Sequence, residues 1–226
     1  MRLGLVTIGQ APRADLSEDL HALLPAEAEV TEHGALDGLT GAEIAALAPR
    51  PGESALTSRL RDGGSAVFGH DQAVPLVEQA VGRAEASGAD ATLLLCSGEF
   101  PAVRHGRPLF LTERLAHDAT ASLLRGLGSD RLGIVRPLPE QTAEALPQWG
   151  HSIGVRPVAV SAASPYTATR EEIASAAREV ARTSDLVVLD CIGFDEEMRR
   201  AAVAAGDGTP VVTVRGLALR VLSAML

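Results

Sequence analysis

Short, continuous apolar runs recur along the chain, and between them apolar residues return every three or four positions. A run too short for a helix but apolar throughout fits a strand buried on both faces, and the intervening periodicity fits helices that cover it. The strand-like runs are residues 3–9 (LGLVTIG), 28–33, 66–70 (AVFGH), 91–96 (ATLLLC), 131–137 (RLGIVRP), 154–161 (GVRPVAVS), 186–191 (LVVLDC) and 210–214 (PVVTV). The helical patterns cover 13–24, 40–47, 72–87, 113–126, 139–148, 170–183, 195–205 and 217–226. Pro12 suits the first turn of the first helix, where its missing N–H costs nothing. Thr40 with Glu43 three residues on forms a capping box. Gly126-Leu127-Gly128 reads as a helix stop. Residues 49–65 carry proline, glycine and charge, and read as a connection with a short helical or strand element inside it, either a surface loop or a lid.

This alternation predicts an α/β protein with mainly parallel sheets. Two pairs of segments match at corresponding places: LGLVTIGQAP with LGIVRPLPEQ, and TLLLCSGEF with LVVLDCIGF. An internal duplication follows, with two similar Rossmann-like lobes and a shorter second copy. The lobes are expected at 1–115 and 116–226, the boundary lying near 115–130 and the last helix, 215–226, free to pack back on the first lobe.

Composition narrows the function. The chain has 226 residues, 46% of them hydrophobic and 22% charged, which is ordinary for a globular protein. A net charge of −9 and 3% aromatics leave neither a basic footprint for phosphates nor stacking platforms for bases, so nucleic acid is excluded as a partner. No apolar run approaches the roughly 18 residues of a membrane span. The opening MRLGLVTIG reads as a strand rather than a signal peptide, and the expected location is cytoplasmic. Two cysteines in such a chain are expected as reduced thiols. No GxGxxG opens a helix and no phosphate-binding P-loop is present. Six histidines include His33, His70, His105 and His117, none at zinc-ligand spacing, so neither metal nor other cofactor is implied. His70, with Asp71 beside it at a strand end, is the one histidine placed near a prospective site.

Ligands of open parallel sheets bind beyond the carboxyl ends of the strands. Cys96 and Cys191 both occupy such ends, each with a glycine two residues later. They are either small buried core residues or a pair of acid/base groups. Two thiols on opposite faces of a carbon acid can racemise it, one as thiolate removing the α-proton and the other delivering a proton to the far face. An unperturbed thiol with a pKa of about 8.5 needs help to ionise, and helices following both cysteine turns would supply it. Thr7 and Gln10 offer hydroxyl and amide groups, and Arg13 and Arg136 offer forks for a carboxylate. Arg13 is otherwise an exposed charge on the first helix. Ser97 either orients substrate or caps a turn, Gly98 and Gly193 free backbone N–H groups, and Asp190 either positions substrate nitrogen or satisfies loop N–H groups. Glu99 is either a base beside Cys96 or an exposed loop carboxylate.

TIGQAPR near the start, LLLCSGEFP and VVLDCIGF resemble the AroM family, a branch of the aspartate/glutamate/hydantoin racemase superfamily. The resemblance spans nearly the whole chain. It implies two α/β lobes with an active-site cleft between them, one catalytic cysteine from each lobe, and neither pyridoxal phosphate nor metal. Cys96-Ser97 corresponds to the first lobe's cysteine and small polar pair, Cys191 to the second lobe's cysteine. Ile192-Gly193 stands where glutamate racemases have Thr-His, and the first strand ends in Thr-Ile-Gly-Gln rather than Asp-Ser-Gly. Those departures remove expected partners of a substrate amino group. The implied activity is a cofactor-independent racemase or epimerase of a small carboxylate, amino acid or hydantoin-like compound. The alternatives are a one-cysteine isomerase or decarboxylase and a non-catalytic small-molecule-binding module. A homodimer is also expected, since closed twofold assemblies are the commonest soluble oligomers.

Overall fold

A computed structural model describes residues 1–100 and 103–226. The chain divides into two compact units, one of Met1–Thr112 with Leu226 and one of Glu113–Met225.

In the first unit the elements are β1 (Arg2–Thr7), α1 (Ser17–Leu23), β2 (Glu29–Gly34), α2 (Gly41–Ala46), β3 (Ala55–Arg59), β4 (Ser65–Gly69), α3 (His70–Ala86), β5 (Ala91–Leu95) and β6 (Leu109–Leu111). Its main sheet runs β2-β1-β5-β6, every pair parallel. Side chains of a strand alternate between faces. Val6, Ile8, Leu94 and Cys96 accordingly join one cluster with Val77, Ala80, Val81 and Ala84 of α3, while Leu3, Leu5 and Leu93 are buried at alternate positions. Strands β3 and β4 form a separate antiparallel hairpin, whose Leu56 and Phe68 join the same cluster.

The helix α4 (Thr112–Leu127) opens the second unit, followed by β7 (Leu132–Arg136), α5 (Thr142–Ile153), β8 (Ala159–Ala162), α6 (Arg170–Ala181), β9 (Leu186–Leu189), α7 (Glu196–Ala205), β10 (Val211–Thr213) and α8 (Val214–Ser223). The sheet runs β10-β9-β7-β8, again all parallel. Val135, Val187 and Leu189 pack on Ile173, Ala177 and Val180 of α6. Leu132, Ile134, Leu186 and Val188 pack on the other side with Ala116, Trp149 and Val214.

Replacing β1, β2, β5 and β6 by β7, β8, β9 and β10 turns one strand order into the other. Register agrees as well, Val6 standing opposite Leu94 as Val135 stands opposite Leu189. Gly4 and Gly133 occupy the same position of their strands, and each admits its covering helix closely. A Cβ at Gly4 would lie 2.9 Å from Ala84 Cβ, and one at Gly133 would lie 3.2 Å from Val180 Cβ.

Several expected elements are corrected. The segment after Pro12 is a turn of 3-10 helix at Ala14–Leu16 before α1, so Pro12 stands outside the helix, with Arg13 at its start. The short element expected within 49–65 is the strand β3, while β4 is not part of the parallel sheet but pairs with β3. The three-residue β6, partly buried throughout, carries too little pattern to be recognised. Residues 154–158 are not strand: Gly154 caps α5 in the left-handed region at φ 74°, and β8 starts only at Ala159. The last helix begins at Val214, with Thr213 accepting the Gly216 N–H as its cap. The Thr40–Glu43 capping box is present. Among the described residues no helix is long and apolar enough to cross a membrane.

Candidate active site

Both cysteines lie one or two residues beyond a central strand, β5 for Cys96 and β9 for Cys191, and both are buried. The chain reverses within the next two residues, so the N–H of the following glycine turns back on the sulfur. Gly98 N–H donates to Cys96 Sγ at 3.3 Å, and Gly193 N–H donates to Cys191 Sγ at 3.5 Å. A donor aimed at sulfur favours the thiolate over the thiol. The two turns thus share sequence position, strand position and the same hydrogen bond.

What covers each turn differs. A Cβ at Gly98 would lie 3.1 Å from Leu56 Cδ2 of the hairpin. At Gly193 it would lie 2.5 Å from Tyr166 Cε1, in the β8–α6 connection, and the Tyr166 hydroxyl lies 3.8 Å from Cys191 Sγ. The expected helix after both turns is found only in the second unit, where Asp195 caps α7 through the Met198 N–H at 2.7 Å. Among the described residues, no helix intervenes between Cys96 and α4. Phe100 and Val103 are themselves buried in the first unit's core cluster.

Around the first turn, Glu99 is exposed and its carbonyl accepts from His70 Nε2 at 2.6 Å. His70 thereby ties the start of α3 to the cysteine turn. Ser97 is half-buried beside Cys96. Thr7 ends β1 and its hydroxyl accepts from Arg13 Nη1 at 3.0 Å. Arg13 is 1% exposed, not a surface charge, and its fork grips Asp15 through Nε and Nη2 at 2.8 and 2.7 Å. A carboxylate ligand would have to displace Asp15 from it. Gln10 bridges loops, its amide donating to the Leu36 carbonyl at 3.3 Å and accepting the Arg61 N–H at 3.0 Å. Together with Arg61, which pairs with Asp37 at 2.9 Å, it fastens the hairpin down.

Around the second turn the polar groups are buried. Arg136 ends β7 and donates from Nη1 to Asp190 Oδ2 at 2.6 Å and from Nη2 to Gln148 Oε1 at 2.7 Å. The same Asp190 oxygen accepts from Trp149 Nε1 at 2.9 Å. Trp149 stacks on His117 with ring centroids 3.6 Å apart, and His117 Nδ1 lies 2.7 Å from Ser152 Oγ. Burial pushes the His117 pKa down to about 4, with the nearby Arg136 charge adding to the shift against the opposing pull of Asp190. His117 is therefore neutral at pH 7.

Arg136, Asp190, Gly193 and Cys191 are thus brought together in one unit, and Thr7 and Arg13 contact each other in the other. Trp149, Asp15 and Tyr166 escaped sequence reasoning, which considers His117 only as a zinc ligand. One signal was available, that Trp149 and Tyr166 are the only tryptophan and tyrosine in a chain poor in aromatics. Among the described residues no group of three or more His, Cys, Asp or Glu is arranged to hold a metal ion.

Solved structures with this fold include an allantoin racemase from Klebsiella pneumoniae, 15% identical, with a TM-score of 0.61 over 100% of this chain and 87% of that one. A Nocardia farcinica maleate cis-trans isomerase, solved as a cysteine-to-serine mutant with a covalently bound succinylcysteine intermediate, is 17% identical, with a TM-score of 0.60 over 100% and 93%. An unliganded arylmalonate decarboxylase is 15% identical, with a TM-score of 0.59 over 100% and 92%. No curated protein sequence matches. The AroM protein family model, in contrast, matches residues 3–226, and the chain belongs to that family.

Proposed function

We propose that the protein is a cofactor-independent racemase or epimerase in which Cys96 and Cys191 exchange a proton through one carbon of a small carboxylate, amino-acid or hydantoin-like substrate. One observation carries the proposal: each thiol accepts the N–H of a glycine two residues on, at the same position of two sheets wound in the same order. Racemisation needs two groups of interchangeable role, and a duplicated turn provides them.

The step balances without an added reactant. The thiolate of one cysteine takes the α-proton, forming S–H and leaving the electron pair on the carbon conjugated with its carbonyl. The other cysteine gives its proton to the opposite face, forming the new C–H bond and becoming the thiolate. The next turnover runs in reverse, with the roles exchanged. Ser97, Gly98 and Gly193 lie beside the sulfurs and are assigned to substrate contact, with Thr7 and Gln10 at the end of β1. Arg13 and Arg136 already hold Asp15 and Asp190, so in this proposal they shape the strand ends that the ligand meets.

The test is solvent exchange. A panel of chiral carboxylates, amino acids and hydantoins in deuterium oxide should show one compound that loses its optical activity while deuterium enters the α-carbon. Cys96→Ala and Cys191→Ala should each abolish inversion. Inversion by either single variant would overturn two-thiol chemistry.

A second reading, a one-thiol isomerase or decarboxylase, is favoured by the succinylcysteine intermediate in the Nocardia relative and by the decarboxylase among the structures of the same fold. Turnover that survives loss of one cysteine but not of the other identifies it. Thermal stabilisation by a ligand that persists in the double-cysteine variant, without turnover in the native chain, identifies a binding module instead.

A further inference from the structure

Tyr166 is held in place from two sides. Its backbone N–H donates to Ser164 Oγ at 3.2 Å, and the Ala168 N–H closes the same turn on the Ser164 carbonyl at 3.0 Å. Its ring lies over Gly193 so closely that a Cβ there would stand 2.7 Å from both Cζ and the hydroxyl oxygen. The hydroxyl of this half-buried residue is thereby fixed 3.8 Å from Cys191 Sγ.

Of the two groups, the thiol has the lower ordinary pKa, about 8.5 against about 10 for phenol. The sulfur therefore ionises first, and the phenol retains the hydrogen it donates. The two carboxylates nearest in sequence, which would oppose a thiolate, are engaged elsewhere. Asp190, one residue before the cysteine, is neutralised by Arg136 of β7 and also bound by Trp149 of α5. Asp195, four residues on, is engaged with the N-terminus of α7.

We propose that Tyr166 is a positioning residue for Cys191, its phenol O–H donating to the sulfur beside the Gly193 N–H so that the thiolate is favoured and its lone pair aimed. This rests on Cys191 as a proton-transfer group, and adds to that function a residue that sets when the group is ready.

The chain has two cysteines, so each can be titrated alone. In a Cys96→Ser background the rate of iodoacetamide alkylation, followed by mass spectrometry across pH, reports Cys191; in a Cys191→Ser background it reports Cys96. Tyr166→Phe keeps the ring against Gly193 and removes only the hydroxyl. The Cys191 midpoint should rise by about half to one pH unit, the worth of roughly one hydrogen bond, while the Cys96 midpoint stays in place. A change in exposure alters the alkaline plateau rate instead, and so is read separately from the midpoint. Gly193→Ala, which displaces the ring, should raise the midpoint when Tyr166 is present and add little to Tyr166→Phe. An unmoved Cys191 midpoint, or equal movement of both thiols, overturns the proposal. No substrate enters the assay, so its failure is distinct from a failure of the racemase function, which deuterium exchange judges.

Discussion

The ends of β1 and β7 are the same place in two copies of one fold, yet they are stabilised in opposite ways. In the first unit, Thr7 stands opposite Leu95, and the neighbouring guanidinium of Arg13 is held by Asp15 from the following turn. In the second, continuing the Val135–Leu189 register by one residue sets Arg136 beside Asp190, and the two form an ion pair with side chains 6% and 0% exposed. The first unit thus keeps its arginine and carboxylate two residues apart in one loop. The second joins two strands with a charge pair and fastens a tryptophan to it. Winding order puts each thiol at its strand end, and different polar contacts then brace it.

The largest effect should come from breaking the buried pair. Asp190→Ala leaves the Arg136 charge uncompensated and should cost about 3–5 kcal/mol in urea unfolding. Asp15→Ala, whose carboxylate is partly exposed, should cost distinctly less, and equal losses would erase the contrast between the units. Joint replacement by apolar residues, Arg136→Met with Asp190→Leu, should recover most of the stability lost by Asp190→Ala.

Acid should separate the units next. His117 is buried and neutral, with its pKa lowered to about 4. Between pH 6.5 and about 4 the unfolded chain binds a proton that the folded chain refuses, so stability falls as pH falls through that window and levels off below it, for a total of roughly 3 kcal/mol. Trp149, the single tryptophan, stacks on His117 and reports this by fluorescence. His117→Gln should flatten the acid slope, and an unchanged slope would show that His117 is not its source.

The smallest effect should lie at the two glycines. Gly193→Ala drives a Cβ into the Tyr166 ring and should cost about 1–3 kcal/mol, whereas Gly98→Ala crowds the flexible end of Leu56 at 3.1 Å, with Cys96 Sγ and Phe100 at ordinary contact distance, and should cost under about 1 kcal/mol. Paired urea titrations decide it, and the reverse order would mean that the ring yields more easily than the leucine.

Strands that are almost continuously apolar announce themselves, because burial on both faces leaves little place for a polar residue. That is why β1, β5, β7 and β9, with the cysteines just beyond two of them, were legible along the chain, as was the duplication. Strand β3 was legible only as a short element, helix or strand, within 49–65, since its residues ALTSR have no such run and pair only with β4. Residues 154–158 misled in the other direction, apolar enough for a strand but begun by a glycine that ends a helix.

Periodicity reports how each residue faces its own element's core, and so it settles elements and the strand ends where chemistry can sit. It carries no signal for partners that belong to different elements. Whether Asp190 served the loop or Arg136 and Trp149, and which side chain covered each cysteine turn, were decided by folding, because those contacts join segments tens of residues apart; Arg13 grips Asp15 only two residues on, but its burial rests on the Ser58 hydroxyl of β3, 45 positions away.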